Sequence, residues 1–199
     1  MDRSIRIKLS LIVLSLAMLS GCSPAAVELH GSPYQNPAPA PGFALPSSAG
    51  STFDLANERG RIVLLYFGYT FCPDVCPATL AEIRQIFFQE PGLLDSTVVA
   101  MVTVDPERDT LSVLSEYLAR FNPEFIGLRA EGDELDSLLD AYGVFAERDP
   151  ESDPEYYLVT HTARLFLIDS QGLLRTSYAF GTPIEEIKAD LHVLLEMVR

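Results

Sequence analysis

The sequence contains no tryptophan and only three cysteines and three histidines. Basic residues are also scarce, since 14 Lys and Arg stand against 28 Asp and Glu and leave a net charge of −14. A partner with a phosphate backbone needs clustered Lys and Arg, so this balance argues against nucleic-acid binding. Three cysteines also exclude a scaffold stapled by several disulfides. We therefore expect one acidic globular domain with extra sequence at an end.

The first 21 residues have the pattern of a secretion signal. Three cationic residues precede an apolar run from Leu9 to Leu19, which is too short to span a bilayer comfortably. The run ends in Leu19-Ser20-Gly21-Cys22, which resembles a bacterial lipoprotein signal with Cys22 as the acylated residue. A plain cleavable signal with a chance cysteine is the alternative. We expect an exported protein, anchored through lipid on Cys22 to the outer face of the bacterial cytoplasmic membrane.

Residues 22–42 are rich in Pro and Ala, and we expect them to form an extended tether that lifts a domain off the membrane. His30 falls in this stretch, and we expect it to be solvated. From Phe43 onward the pattern is globular and shows no internal repeat, which predicts a single domain over residues 43–199.

Strands and helices alternate through that domain. Residues 62–67 and 98–104 are apolar runs rich in β-branched side chains, which predicts central strands covered on both faces. Residues 165–169 and 173–180 flank the turn Ser170-Gln171-Gly172, which predicts a hairpin. The sheet is therefore expected to be mixed.

Helical periodicity fills the gaps between these strands. It predicts helices after the last two cysteines, after Asp109-Thr110, before Gly143 and at the C-terminus. For the last helix we expect Thr182 as N-cap, Pro183 at the first helical position and Glu185 as capping-box partner. This order of elements predicts an α/β domain of thioredoxin-like fold, a three-layer α/β/α sandwich with a central mixed sheet.

Cys72 and Cys76 lie where a predicted buried strand ends and a helix begins, close to the positive end of the helix dipole, which favours thiolates. Residues four apart share one helix face, about 6 Å apart along the axis. A disulfide over that distance would be strained, whereas a metal can bridge two sulfurs that do not touch. Soft thiolates select Cu(I) or zinc and leave a coordination position for a third ligand.

The third ligand should be a histidine. His192 lies on the flank of an apolar stripe in the last helix, which is typical of a structural or exposed histidine. His161 precedes the strand at 165–169, where a thioredoxin-like fold returns a loop beside the cysteine-bearing helix. Position alone leaves ligation and a structural role for His161 equally open.

Three motifs occur in order: Tyr66 to Pro77, Thr103 to Thr110, and Tyr157 to Thr162. They resemble the Sco/SenC family of copper-binding proteins that assemble cytochrome c oxidase. The resemblance implies that Cys72, Cys76 and His161 bind copper, as Cu(I) or Cu(II), for the dinuclear centre of oxidase subunit II. Other copper carriers are further expected partners. Many members have Asp before the histidine, where this chain has Thr160.

Two other stretches allow more than one interpretation. Asp105, Glu107, Arg108 and Asp109 could form a charged rim beside the site, but a helix entry with Asp109 or Thr110 as N-cap and a local ion pair is favoured. Residues 146–157 are acidic and contain proline, and we expect a surface loop that moves when metal or partner binds.

The main functional prediction is a metallochaperone, which catalyses no bond chemistry. The alternative is a thiol-disulfide oxidoreductase that keeps the copper-ligand cysteines of the oxidase reduced. Cys72 would then be the attacking thiolate and Cys76 the resolving one, although the three intervening residues argue against a redox motif. A peroxidase-like thiol enzyme has no support beyond the shared fold class.

Overall fold

A computed structural model describes residues 28–153 and 156–197. The predicted signal at residues 1–21 and the predicted acylation site Cys22 lie outside the described residues. No helix within the described ranges combines the length and apolar character that crossing a bilayer would require.

A six-stranded mixed sheet forms the centre of the domain, and two small two-stranded sheets accompany it. The strands are β1 (Ser32–Pro39), β2 (Ala44–Pro46), β3 (Thr52–Asp54), β4 (Ile62–Gly68), β5 (Thr97–Thr103), β6 (Ile126–Leu128), β7 (Ala146–Arg148), β8 (Val159–His161), β9 (Arg164–Ile168) and β10 (Leu173–Ala179). The order across the large sheet is β1-β10-β9-β4-β5-β6. β2 pairs with β3, and β7 pairs with β8.

The two predicted central strands and the predicted hairpin are confirmed. Every residue of β4 and β5 is buried, and the two strands run parallel. β9 lies antiparallel to β4, with Val63 opposite Ile168 and Tyr66 opposite Leu165. β9 and β10 form the expected antiparallel hairpin. The carboxyl end of β4 and the start of β9 therefore meet at one edge of the sheet.

Among the described residues, four α-helices cover the faces of this sheet. They are α1 (Val75–Gln89), α2 (Leu111–Leu118), α3 (Gly132–Tyr142) and α4 (Ile184–Glu196). Successive β4 side chains point to opposite faces. Tyr66 contacts Cys76 of α1, whereas the Phe67 ring lies 5.5 Å from that of Tyr142 in α3. Helices thus lie on both sides of a mixed sheet, as predicted.

The ends of two helices test the sequence signals. Gly143 closes α3 in the left-handed conformation, with φ of 64°, which confirms that prediction. The predicted start of α4 is wrong by one residue, because Pro183 is the N-cap and Ile184 the first helical residue. The Thr182 hydroxyl donates to Ala179 O rather than capping the helix.

The tether prediction is wrong for residues 32–39. This stretch forms β1, which pairs antiparallel with β10 at the edge of the large sheet. All its side chains are exposed, and proline is tolerated on an edge strand because one side of the strand needs no ladder hydrogen bonds. His30 is also not a free tether residue, because its Nδ1 lies 2.8 Å from Oδ1 of the buried Asp190.

The acidic stretch 146–157 is only partly a loop. Its first three residues form β7, which pairs with β8 so that Ala146 lies opposite His161. Thr162 N donates to Phe145 O at 2.9 Å and extends this pairing by one step. It presents His161 near the carboxyl end of β4.

Candidate metal centre

The cysteine pair lies in the connection between β4 and α1. Cys72 is in the loop and half-buried, and Cys76 is in the first turn of α1 and fully buried. The Cys76 N–H points to Cys72 Sγ at 3.5 Å, so a free amide at the start of the helix faces the sulfur. Neither cysteine is in a disulfide.

His161 ends β8 with its ring directed at the cysteines. Nε2 lies 3.4 Å from Cys76 Sγ, and Nδ1 lies 3.3 Å from Thr162 O. A donating Nδ1–H leaves the Nε2 lone pair facing the sulfurs, which is the tautomer that a metal ligand needs. The rings of Tyr66 and Tyr69 meet the imidazole edge-on, at centroid distances of 6.3 and 5.7 Å.

These three side chains lie close to the donor spacing that one metal ion requires. Sulfur and imidazole donors bind at about 2.3 and 2.0 Å, so donors to one ion lie at most about 4.6 Å apart. The donor atoms of Cys72, Cys76 and His161 all lie within 4.8 Å of one another. A small inward movement closes the site around an ion. No other group of three or more candidate ligands occurs among the described residues.

The two thiols are not equivalent. A hydrogen bond from the Cys76 side chain, together with backbone amides at the helix start, lowers the pKa of Cys72 to about 3. The hydrogen bond to Cys72 and burial raise the pKa of Cys76. A metal that binds both sulfurs has to displace the Cys76 proton, which the raised pKa opposes.

Tyr66 and Gly68 shape the wall around Cys76, a role that the sequence did not reveal. The Tyr66 hydroxyl donates to Cys76 Sγ at 3.5 Å. A Cβ on Gly68 would lie 3.0 Å from Cys76 Sγ and 2.6 Å from Tyr66 Cε1. Both residues fall inside the cysteine motif, but only the alternation of β4 together with the position of α1 shows that they face the sulfur.

Asp109 fixes the loop that leads to Cys72. Its carboxylate accepts from Thr70 N at 3.0 Å, from Thr70 Oγ1 at 2.5 Å and from Thr103 Oγ1 at 2.6 Å. Burial raises the pKa of Asp109. The helix cap is Thr110, whose hydroxyl accepts from Val113 N. Of the two N-cap candidates the structure therefore selects Thr110, and Asp109 has a different role.

The remaining sequence candidates lie outside the ligand group. Arg108 Nε contacts Asp105 Oδ2 at 2.5 Å, which confirms the local ion pair. Glu107 is exposed and is not a ligand candidate. His192 is half-exposed and lies 2.7 Å from Glu90, as expected for a surface histidine.

A mixed α/β sandwich with a Cys-Cys-His group at the carboxyl end of its central strand defines a thioredoxin-like protein with a thiolate metal site. Residues 32–196 match the family model described as SCO1/SenC. The chain belongs to the SCO1/SenC family.

Individual relatives agree with this assignment. The chain is 34% identical over 148 residues to the mitochondrial SCO2 homolog of Bos taurus, which covers 73% of this chain and 55% of that protein. It thus spans about half the length of this curated relative. Copper-bound ScoI of Bradyrhizobium japonicum matches at a TM-score of 0.72 and 33% identity, over 79% of this chain and 100% of that one.

A metal-free relative has the same fold. The solution structure of apo Sco1 from Thermus thermophilus matches at a TM-score of 0.74 and 34% identity, over 86% of this chain and 99% of that one.

Proposed function

We propose that this protein is a copper metallochaperone that delivers copper to the dinuclear centre of cytochrome c oxidase subunit II. The supporting observation is the convergence of Cys72, Cys76 and His161, whose donor atoms lie within 4.8 Å of one another. Membership of the SCO1/SenC family and the copper in the ScoI structure support copper as the cargo.

The donor set suits a cargo that must leave again. Two thiolates and one imidazole match the soft ligand preference of Cu(I), and the same donors accept Cu(II). Cys72 is partly exposed while Cys76 is buried, so an incoming thiolate of a partner reaches the Cys72 side first. Ligands are then exchanged one at a time, and copper leaves without a catalysed covalent step. Other copper carriers of the same chemistry would load the site by the reverse exchange.

The location that suits this role is the outer face of the bacterial cytoplasmic membrane. The support is the sequence alone, namely the apolar run and the Leu19-Ser20-Gly21-Cys22 motif that would place a lipid on Cys22. Treatment of expressing cells with an inhibitor of lipoprotein signal processing should leave an unprocessed precursor. Normal processing, with the product free in the exported fraction, would contradict the anchor.

One observation favours a second candidate function, thiol-disulfide exchange with the copper-ligand cysteines of the oxidase. Cys72 has a lowered pKa and is partly exposed, and buried Cys76 lies beside it. These are the properties of an attacking thiolate and a resolving thiol. One turnover would oxidise the Cys72–Cys76 pair to a disulfide and reduce one disulfide of the partner.

Removing the imidazole separates the two functions. In His161→Ala, copper affinity should fall by more than about 100-fold, because loss of a ligand exceeds the usual loss of a supporting group. Exchange with a disulfide substrate should persist, since it needs only the sulfurs. His192→Ala is the control, because His192 is a half-exposed histidine outside the site. Unchanged copper affinity in His161→Ala would overturn the chaperone proposal.

A further inference from the structure

Arg108 lies between the two chain segments that carry the candidate ligands. Its Cζ lies 4.6 Å from the centre of the Phe71 ring and 3.5 Å from the centre of the Tyr157 ring. Phe71 directly precedes Cys72, and Tyr157 leads into the strand that ends at His161. One guanidinium therefore touches the neighbour of a cysteine ligand and the approach to the histidine ligand.

Asp105 holds both partners of this stack in place. Its Oδ2 binds Arg108 Nε at 2.5 Å, and its Oδ1 accepts from the Tyr157 hydroxyl at 2.6 Å. Asp105 is buried and lies two residues after Thr103, the last residue of β5. The stack is thus anchored to the central sheet through one carboxylate.

The planar face of the cation makes the remaining contacts. The Arg108 side chain is 15% exposed, and its Nη1 and Nη2 are buried without a hydrogen-bond partner among the described residues. The attraction between a guanidinium and an aromatic face is stronger when the cation is removed from water, because the ring quadrupole replaces part of its lost hydration. A lysine ammonium can lie over one ring but has no plane to stack between two, so it reproduces this contact only in part.

Neither ligand-bearing segment is a strand of the six-stranded sheet. Residues 69–74, which contain Cys72, form no regular helix or strand. β8, which contains His161, pairs only with β7 in a separate two-stranded sheet. The distance between Cys72 and His161 therefore depends on side-chain contacts that cross between the segments.

We propose that Arg108 is a positioning residue of the metal site, which holds the His161 strand against the Cys72 loop by stacking between Phe71 and Tyr157. The inference rests on the proposed copper site but concerns a residue that does not touch the metal. Its loss should loosen the preformed triangle of donor atoms and speed the release of copper.

The test compares Arg108→Lys with a matched control, Arg175→Lys. Arg175 is equally buried, with a side chain 14% exposed, and pairs with Asp169. Asp169 directly follows β9, whose last residues pair with the start of β4. It therefore lies at the end of these strands that is far from the site. In Arg108→Lys the copper dissociation rate should rise about tenfold, the loss typical of groups that orient metal ligands, while Arg175→Lys should match wild type.

A second readout needs no copper. The Val159 amide donates to Tyr69 Oη at 3.2 Å across the same two segments, so its hydrogen exchange reports their contact. Exchange at Val159 in the metal-free full chain should accelerate in Arg108→Lys but not in Arg175→Lys. Tyr157→Phe, which keeps the ring and removes the bond to Asp105, should show a smaller change of the same sign.

Equal copper release and equal Val159 exchange in Arg108→Lys and wild type would overturn the positioning role. Should wild type fail to bind copper, the proposed function fails, and the exchange of Val159 alone still decides the role of Arg108. If Arg108→Lys does not fold, Phe71→Leu takes its place, because it removes one ring of the stack at an exposed position. Unchanged Val159 exchange in Phe71→Leu would also overturn the proposal.

Discussion

Two imidazoles of this protein lie beside buried ionisable groups, and their surroundings differ. Asp190 accepts from His30 N at 2.9 Å, contacts His30 Nδ1 at 2.8 Å and accepts from the Tyr178 hydroxyl at 2.7 Å. At the metal centre, Cys76 Sγ makes long contacts of 3.5 Å to the Tyr66 hydroxyl and 3.4 Å to the imidazole.

This difference separates a structural cluster from a binding site. The carboxylate of Asp190 is satisfied by donors within the protein, and a cation would have to displace them. The sulfurs of Cys72 and Cys76 have weak partners and one opening to solvent, so a soft cation improves their surroundings. A histidine beside a buried acid is therefore not enough to indicate a metal site.

The largest expected change in copper affinity comes from replacing one ionisable side chain in each of the two clusters and comparing the variants. Cys76→Ser should lower copper affinity by more than about 100-fold, because a soft ligand is lost. Asp190→Asn should leave copper affinity unchanged and lower the free energy of unfolding by about 2 kcal/mol, because hydrogen bonds to a buried charge are weakened. Copper titration and denaturant unfolding of both variants measure this; a loss of copper affinity in Asp190→Asn would show that the two clusters are coupled.

A methyl group on Gly68 should disturb the packing around the metal centre. Gly68→Ala places a Cβ at 3.0 Å from Cys76 Sγ and 2.6 Å from Tyr66 Cε1. We expect a copper affinity about tenfold lower and a loss of about 1–3 kcal/mol in the free energy of unfolding. Gly92→Ala is the control, since a Cβ there meets nothing within 4 Å. Equal behaviour of the two variants would contradict the described packing.

The His30 contact should make stability depend on pH. The hydrogen bond to Asp190, with the charge of that residue and of Glu186, raises the pKa of His30 above 6.5 in the folded protein. The protonated imidazole therefore stabilises the folded protein, and this contribution is complete at pH values below the unfolded-state pKa of 6.5. It is lost as the pH rises through the pKa of His30 in the folded protein. Wild type should therefore exceed His30→Ala in unfolding free energy by more at pH 6 than at pH 8.5, whereas a constant difference would contradict the ion pair.

The smallest expected effect concerns the reactivity of the metal-free thiols. With the pKa of Cys72 lowered to about 3, its alkylation rate should change little between pH 8 and pH 5. An ordinary thiol would lose about tenfold per unit over that range, because only the thiolate reacts. Mass spectrometry should find the label on Cys72 and not on buried Cys76. A steep fall in the Cys72 rate below pH 8 would contradict the lowered pKa.

The sequence predicted the parts of the fold that depend on apolar periodicity. β4, β5 and the hairpin of β9 and β10 bury their side chains in patterns that local sequence shows. β1 escaped prediction because its exposed, proline-rich residues bury nothing and are ordered by main-chain pairing with β10. The contact of His30 with Asp190 was also missed, because it joins residues 160 positions apart in the sequence.

The candidate site was predictable to a different degree for each residue. Spacing and helix position indicated Cys72 and Cys76, whereas His161 needed the fold or the family resemblance to bring it near them. The roles of Asp109 and Arg108 were not predictable, because they act across loops that meet only in three dimensions. From the local charge pattern alone, these residues were therefore interpreted as a helix cap and a local ion pair.

X-ray absorption of the copper-loaded full chain tests the assigned ligand set most directly. We expect a first shell with two sulfur scatterers and one imidazole nitrogen in wild type, and loss of the imidazole signal in His161→Ala. A shell of oxygen and nitrogen alone, or a spectrum unchanged when His161 is replaced, would show that copper does not bind between Cys72, Cys76 and His161.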